Sequence, residues 1–211
     1  LLSLSLPTRP HLIHAYSDFG QVVDILIKGH YAYLACWSSG LKVVDISDTL
    51  NLQVVNQISN IDIVRGLGVS GNYLYLACTQ DQGQDAVRVM DITIPSTPVL
   101  VDQLPMQYKL PLDIKIVGNY AFITTNTGGV VIADISDPAH PSVLSSILPG
   151  CFSGGFEVAG NYAFVSSFNI ISVFSIADVN SPEYVASYNA GFADVNNIVR
   201  YGDKIYLANG D

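Results

Sequence analysis

Gly118-Asn119-Tyr120-Ala121-Phe122-Ile123-Thr124 and, a few residues on, Val130-Val131-Ile132-Ala133-Asp134-Ile135-Ser136-Asp137-Pro138-Ala139-His140-Pro141 decide the fold. Glycine and asparagine tolerate positive φ, so Gly118-Asn119 between two β-runs reads as a tight hairpin turn. Ile114 and Ile116 mark the alternating run before that turn, and Tyr120 to Thr124 the run after it. Val130 to Ser136 is a third run. Pro138 and Pro141 then end the ladder by removing N–H donors, and Val143 to Ile147 is a fourth. Four short strands with no helical period make one antiparallel blade.

The unit recurs. Its anchor, a glycine followed by a polar residue and an aromatic, appears at Gly29-His30-Tyr31, Gly71-Asn72-Tyr73 and Gly160-Asn161-Tyr162, and in weaker form at Gly202-Asp203-Lys204, with spacings of 42, 47, 42 and 42. Repeats of this length that cannot bury both faces alone must stack. The third run recurs as Val43-Val44-Asp45-Ile46-Ser47-Asp48 and Val89-Met90-Asp91-Ile92-Thr93, and in a degraded copy Ser175 replaces the aspartate. The extra residues of repeat two fall in the polar loop Thr79 to Asp85.

The expectation is an all-β, five-bladed propeller of four-stranded antiparallel blades in one domain, 1–211. Blades are expected at about 22–58, 64–104, 111–147 and 154–188, and a fifth from 195–211 combined with 1–16. Pro7 and Pro10 match Pro138 and Pro141, which makes Leu1 to Ser5 a third strand and Leu12 to Tyr16 a fourth. Strands from both termini then complete one blade and remove exposed edges. A slice of a propeller with more blades is the competing expectation. With no starting Met, the chain reads as a mature or excised segment.

Composition narrows function. Hydrophobic residues at 49% supply a large core, and charged residues at 13% are few. A net charge of −9, with 9 Lys and Arg against 18 acids, argues against nucleic acid and anionic membranes, which require basic patches. No apolar run is long enough for membrane insertion as a helix. Cys36 and Cys78 occupy the same repeat position and read as small buried strand residues, and Cys151 is left over. No pair has zinc-ligand spacing. Histidines 11, 14, 30 and 140 fall on different turns and strands. No nucleophile elbow, phosphate loop, dinucleotide fingerprint or zincin motif is present.

The segments Arg65-Gly66-Leu67-Gly68-Val69-Ser70-Gly71-Asn72-Tyr73, Val43 to Asp48, and Ala133 to Pro138 with its trailing Pro141 resemble the LVIVD repeat of bacterial and archaeal surface proteins. The resemblance covers nearly the whole chain. It implies an extracellular or cell-surface location and carries no shared catalytic motif.

Variable loops on a rigid scaffold carry binding. Phe19, Tyr108, Phe152 and Phe192 lie in crossover loops, and Trp37 and Phe168 in the loops between second and third strands. Aromatic rings beside Asn, Asp and Ser suit sugar rings or a protein surface. Five residues before successive anchors stand Asp24, Gly66, Asp113, Gly155 and Asn197. Asp24, Asp113 and Asn197 are therefore expected at the mouth of the axial channel, where they would cap strands, hold water or hold Ca²⁺. No other cofactor is expected. Lys115 and Glu157 are expected to pair between adjacent blades. The functional expectation is a non-catalytic interaction scaffold that binds a protein or glycan, within a larger surface chain or assembly. The alternatives are a carbohydrate-active hydrolase using the channel-mouth carboxylates and a structural subunit that polymerises by strand exchange at its termini.

Overall fold

The anchor glycines turn the chain where the repeat places them. Gly29, Gly71, Gly118, Gly160 and Gly202 take φ between +53° and +62°, a region closed to most side chains, and each joins two antiparallel strands. The structure is a computed structural model that describes residues 2–3, 8–9, 11–12, 15–16, 19–80, 84–107, 109–127, 129–148, 154–191 and 194–209.

Strands β1 (Leu2–Ser3) and β2 (His11–Leu12) form a two-stranded sheet. Blade one is β3 (Asp24–Lys28), β4 (Tyr31–Ala35), β5 (Leu41–Asp45) and β6 (Gln53–Ile58). Blade two is β7 (Ile63–Ser70), β8 (Tyr73–Thr79), β9 (Ala86–Asp91) and β10 (Val99–Pro105). Blade three is β11 (Pro111–Val117), β12 (Tyr120–Thr125), β13 (Gly129–Asp134) and β14 (Ser142–Ile147). Blade four is β15 (Phe156–Ala159), β16 (Tyr162–Ser167), β17 (Ile170–Ser175) and β18 (Glu183–Asn189), and β19 (Val195–Tyr201) with β20 (Lys204–Asn209) forms a terminal hairpin. The described residues contain no helix. The architecture is all-β and propeller-like.

The Asp-Ile-Ser end of the third run has a physical role. The side chains of Asp45, Asp91 and Asp134 accept the N–H two residues on, from Ser47, Thr93 and Ser136, at 2.7–2.8 Å. Those bonds hold the three carboxyls below the usual aspartate range. The isoleucine between donates its N–H back to the anchor turn: Ile46 to His30, Ile92 to Asn72 and Ile135 to Asn119, at 2.8–2.9 Å. One short motif thus closes the bottom of each blade. Ser175, in the degraded copy, receives only a 3.5 Å bond from Ala177, but the Ile176 to Asn161 bond remains.

Blades bury their faces against one another. Four residues after each anchor a large ring is held between blades: Tyr33, Tyr75 and Phe122 are at most 1% exposed. Each packs in one cluster with a residue four before the next anchor, Leu67, Ile114 and Phe156 respectively. Phe122 and Phe156 stack directly, with centroids 5.5 Å apart. Burying such a side chain contributes about 1.5–3 kcal/mol. The phenols of Tyr33 and Tyr75 are pushed up to about 12 by burial. Tyr33 donates its hydroxyl to Pro95 O at 3.1 Å.

The first strands approach in two ways. At Gly66 an added Cβ would lie 2.7 Å from Asp113 Cα, and at Gly155 it would lie 2.8 Å from Asn197 Cα. Glycine therefore permits close approach of blade two to blade three, and of blade four to the hairpin. The other two interfaces are bridged by side chains. Asp24 reaches the Leu67 N–H at 2.8 Å, and Lys28 donates to Gly71 O. Lys115 pairs with Glu157 at 3.0 Å, as the sequence suggested, and donates to Phe156 O.

The fifth blade expected from both termini does not appear as one sheet among the described residues. Among the described residues β1 pairs only with β2, and β19 only with β20. The β1–β2 ladder has just two residue pairs. The β19–β20 hairpin is held on blade four through Ile198, Ile205 and Leu207.

Gly66→Ala forces backbone apart at the tight interface, because the nearest atoms, Asp113 Cα and Leu112 O, belong to the main chain. The expected loss is about 2 kcal/mol, read as a lower urea midpoint at constant slope.

Candidate functional site

Trp37 lies in the turn that joins β4 to β5. Its φ is +49°. Ser39 N donates to Cys36 O at 2.8 Å and Gly40 N to Trp37 O at 3.1 Å, which fixes the turn. The Trp37 carbonyl also accepts Val64 N at 3.2 Å from blade two. Directly after Val64 the β7–β8 register slips, so that Arg65 is the extra residue of a β-bulge. Bulges re-aim side chains. Here the bulge places the Arg65 guanidinium 4.1 Å from the Trp37 ring centroid, an attraction worth about 0.5–1 kcal/mol near solvent. Arg65 Nε also donates to Thr79 Oγ1 at 3.2 Å.

A second group sits beside this pair. Asp62, with φ +74°, accepts hydrogen bonds from the Gln80 amide and the Arg88 guanidinium. The Asp62 and Arg88 side chains are 16% and 15% exposed, so this ion pair is largely screened from water. Ser38, Ser59, Asp62, Ile63, Thr79 and Gln80 line an open depression of about 370 Å³. Hydroxyl, amide and carboxylate groups therefore converge there, adjoining Trp37 through Ser38 and Arg65 through Thr79. These groups can exchange hydrogen bonds with a polar molecule.

Phe168 occupies the equivalent turn of blade four. Its φ is +54°, its carbonyl accepts Val195 N at 2.9 Å, and its ring is 52% exposed. Trp37 and Phe168 thus share one structural duty, holding the next blade by a main-chain bond, and they lie three blades apart. Phe19 behaves differently. Its ring stacks on Tyr16, centroids 5.7 Å apart, and packs on the face of blade one with Val22, Ile46 and Leu52. Tyr108, Phe152 and Phe192 lie outside the described residues, as does Cys151. The described aromatics do not form one continuous platform.

Asp24, Asp113 and Asn197 take one conformation. Each accepts the N–H of its own next residue, Ile25, Ile114 or Ile198, at 2.8 Å. Asp24 gives its second oxygen to Leu67 N. Burial raises the Asp24 carboxyl, backbone hydrogen bonds to Leu67 and Ile25 oppose that rise, and the nearby Asp113 charge adds to it. Both Asp24 oxygens are thus engaged by the backbone, which suits a strand cap better than a general acid or base. Among the described residues no three His, Cys, Asp or Glu side chains group to hold a metal.

The sequence reading missed Asp62, Arg65, Gln80 and Arg88. A signal existed: with only nine Lys and Arg in the chain, two arginines in repeat two stand out. Their convergence on Trp37 and Asp62 depends on the bulge, which no spacing rule reveals.

With this geometry in place, comparison with known proteins locates the chain. The LVIVD repeat matches residues 19–58, 63–104 and 112–148, together more than half of the sequence. The chain belongs to the LVIVD-repeat family. A search of curated proteins gave no match. Solved structures share the fold at low identity. A candidate 6-phosphogluconolactonase from Bacteroides uniformis superposes with a TM-score of 0.81 at 14% identity, over 95% of this chain and 67% of that one. A second, from Bacteroides fragilis, gives 0.78 at 14% identity with the same coverages. The computationally designed Ika8 protein gives 0.69 at 13% identity, over 88% of this chain. The LVIVD chain spans 54% of the Ika8 chain, about half its length. At such identities the likeness is one of fold alone.

The two described LVIVD-repeat thiols are shielded. Cys36 and Cys78 are free and at most 1% exposed. Burial pushes the Cys78 thiol up to about 12 and raises that of Cys36. Thiolate is the reactive form. In a Cys151→Ser background, both cysteines should resist a disulfide reagent at pH 8 and react together once denaturant is added. Rapid labelling of either in the folded chain would contradict the packing described.

Proposed function

We propose that this LVIVD-repeat chain is a non-catalytic, cell-surface interaction module that binds glycan at the depression beside Trp37. In this reading the scaffold is a propeller with five blade positions, the fifth begun by the terminal hairpin. The observation that carries the reading is the stacking of Arg65 over Trp37, joined to a polar depression through Ser38, next to Trp37, and through Thr79, which accepts a hydrogen bond from Arg65. Sugars are bound by groups of this kind: a ring edge or face for C–H surface, with hydroxyls, amides and a carboxylate for the sugar hydroxyls. Binding sites on propellers fall on loops between rigid strands, and this one lies where the turn of blade one meets the bulge of blade two. An extracellular setting accords with the family resemblance and with an acidic chain poor in cations.

The hydrolase alternative has less support. It depends on Asp24 and Asp113, and the Asp24 oxygens already accept two backbone N–H groups. The likeness to candidate lactonases rests on fold, and one fold hosts many chemistries.

A glycan array followed by calorimetry on the best ligand tests the proposal. Trp37→Ala and Gln80→Ala should each weaken binding about tenfold, the scale of one aromatic or hydrogen-bonding contact. Phe168→Ala should bind as the parent does. Failure of every glycan to bind, or unchanged affinity in the Trp37 and Gln80 variants with melting temperatures retained, would overturn it in favour of a protein ligand or another site.

A further inference from the structure

The interface repeated between blades has an unpaired half at each end of the arc. Four residues before the anchor, Leu67, Ile114, Phe156 and Ile198 are at most 7% exposed, each against the preceding blade. Ile25 holds the same position in blade one and is 59% exposed. Ile27, two residues on, is 64% exposed. Together with Ala32, Leu34, Val44 and Ile46 these residues line an apolar groove of about 340 Å³. At the other end Tyr206 holds the position of Tyr33, Tyr75 and Phe122. Those rings are at most 1% exposed, whereas Tyr206 is 54% exposed and its cross-strand partner Val199 is also 54% exposed.

These are the two halves of one contact. At internal interfaces the ring and the residue four before the next anchor share a cluster: Tyr33 with Leu67, Tyr75 with Ile114, and Phe122 with Phe156. The missing pair in that series is Tyr206 with Ile25. Among the described residues the chain does not make it with itself, since both side chains are more than half exposed.

We propose that the Tyr206 face of one copy docks in the Ile25 groove of a second copy, head to tail. The occupant is another copy because the surface that fits the groove, by continuity with three internal interfaces, is carried by this same chain. The contact is heterologous: each copy offers one groove and one ring face, so assembly is open-ended unless the copies close on themselves. It differs from strand exchange, because the faces meet and the hydrogen-bonded ladders stay as they are. Repeat arrays without polar end faces associate in this way.

Light scattering coupled to size exclusion, over a wide concentration series, tests it. The parent chain should rise from its 22.7 kDa monomer mass to multiples of it as concentration increases. Ile25→Lys blocks the groove and Tyr206→Lys blocks the ring face, and each variant alone should remain a monomer. Both positions are solvent-exposed, so folding is expected to survive, and circular dichroism checks it. Tyr206→Phe should assemble as the parent does, since the ring and not the hydroxyl fills the groove. An equimolar mixture of the two lysine variants should give a species of twice the monomer mass and nothing larger, because one intact groove meets one intact ring face. A parent that stays monomeric throughout, a lysine variant that still assembles, or a mixture that fails to dimerise would each overturn the proposal.

Discussion

Everything in this molecule depends on one contact: a large ring on the second strand of a blade pressed into the first and second strands of the next. A single four-stranded sheet of this sequence has two apolar faces and cannot bury either alone. The contact formed by Tyr33 and Leu67 is repeated by Tyr75 and Ile114, then by Phe122 and Phe156. Each occurrence removes apolar surface on two blades at once and sets the spacing at which loops from neighbouring blades meet. The hydrogen-bonded ladders define blades; the rings assemble them.

The candidate site is a by-product of that spacing. Trp37 belongs to blade one, and Arg65, Asp62, Gln80 and Arg88 to blade two and its approach. They meet because the Trp37 carbonyl holds Val64 and the next residue bulges outward. The same backbone duty at Phe168 brings no arginine, and its ring stays exposed. Two turns of equal geometry therefore differ in chemistry through what the neighbouring blade supplies. The contrast lies in the side chains at the blade boundary, while the main-chain geometry of the two turns is shared.

The inner positions show how repeats absorb difference. Asp24, Asp113 and Asn197 read in the sequence as strand caps or as groups for water or Ca²⁺, and each folds back on its own following N–H. Gly66 and Gly155, at the alternate positions, let the next first strand close in. Where glycine is absent, Lys28 and the Lys115–Glu157 pair span the wider interface. The structure thus alternates tight and bridged interfaces, a two-blade rhythm superposed on the one-blade repeat.

The sequence by itself determined the strand order, the hairpin turns and the repeated core. Anchor glycines, alternating apolar runs and Asp-Ile-Ser ends are local signals, and local hydrogen bonds enforce them. It also placed Lys115 opposite Glu157, because a repeat maps equal positions onto adjacent blades. Tertiary structure decided the rest. Among the described residues the final hairpin packs on blade four by its apolar side and pairs with no strand of the N-terminal segment. Phe19 lies on a sheet face, because that face has no blade upon it among the described residues. Arg65 reaches Trp37, because one extra residue in a ladder turns a side chain outward. These outcomes arise from how blades dock, and docking depends on shape across the chain, which no spacing within a repeat encodes.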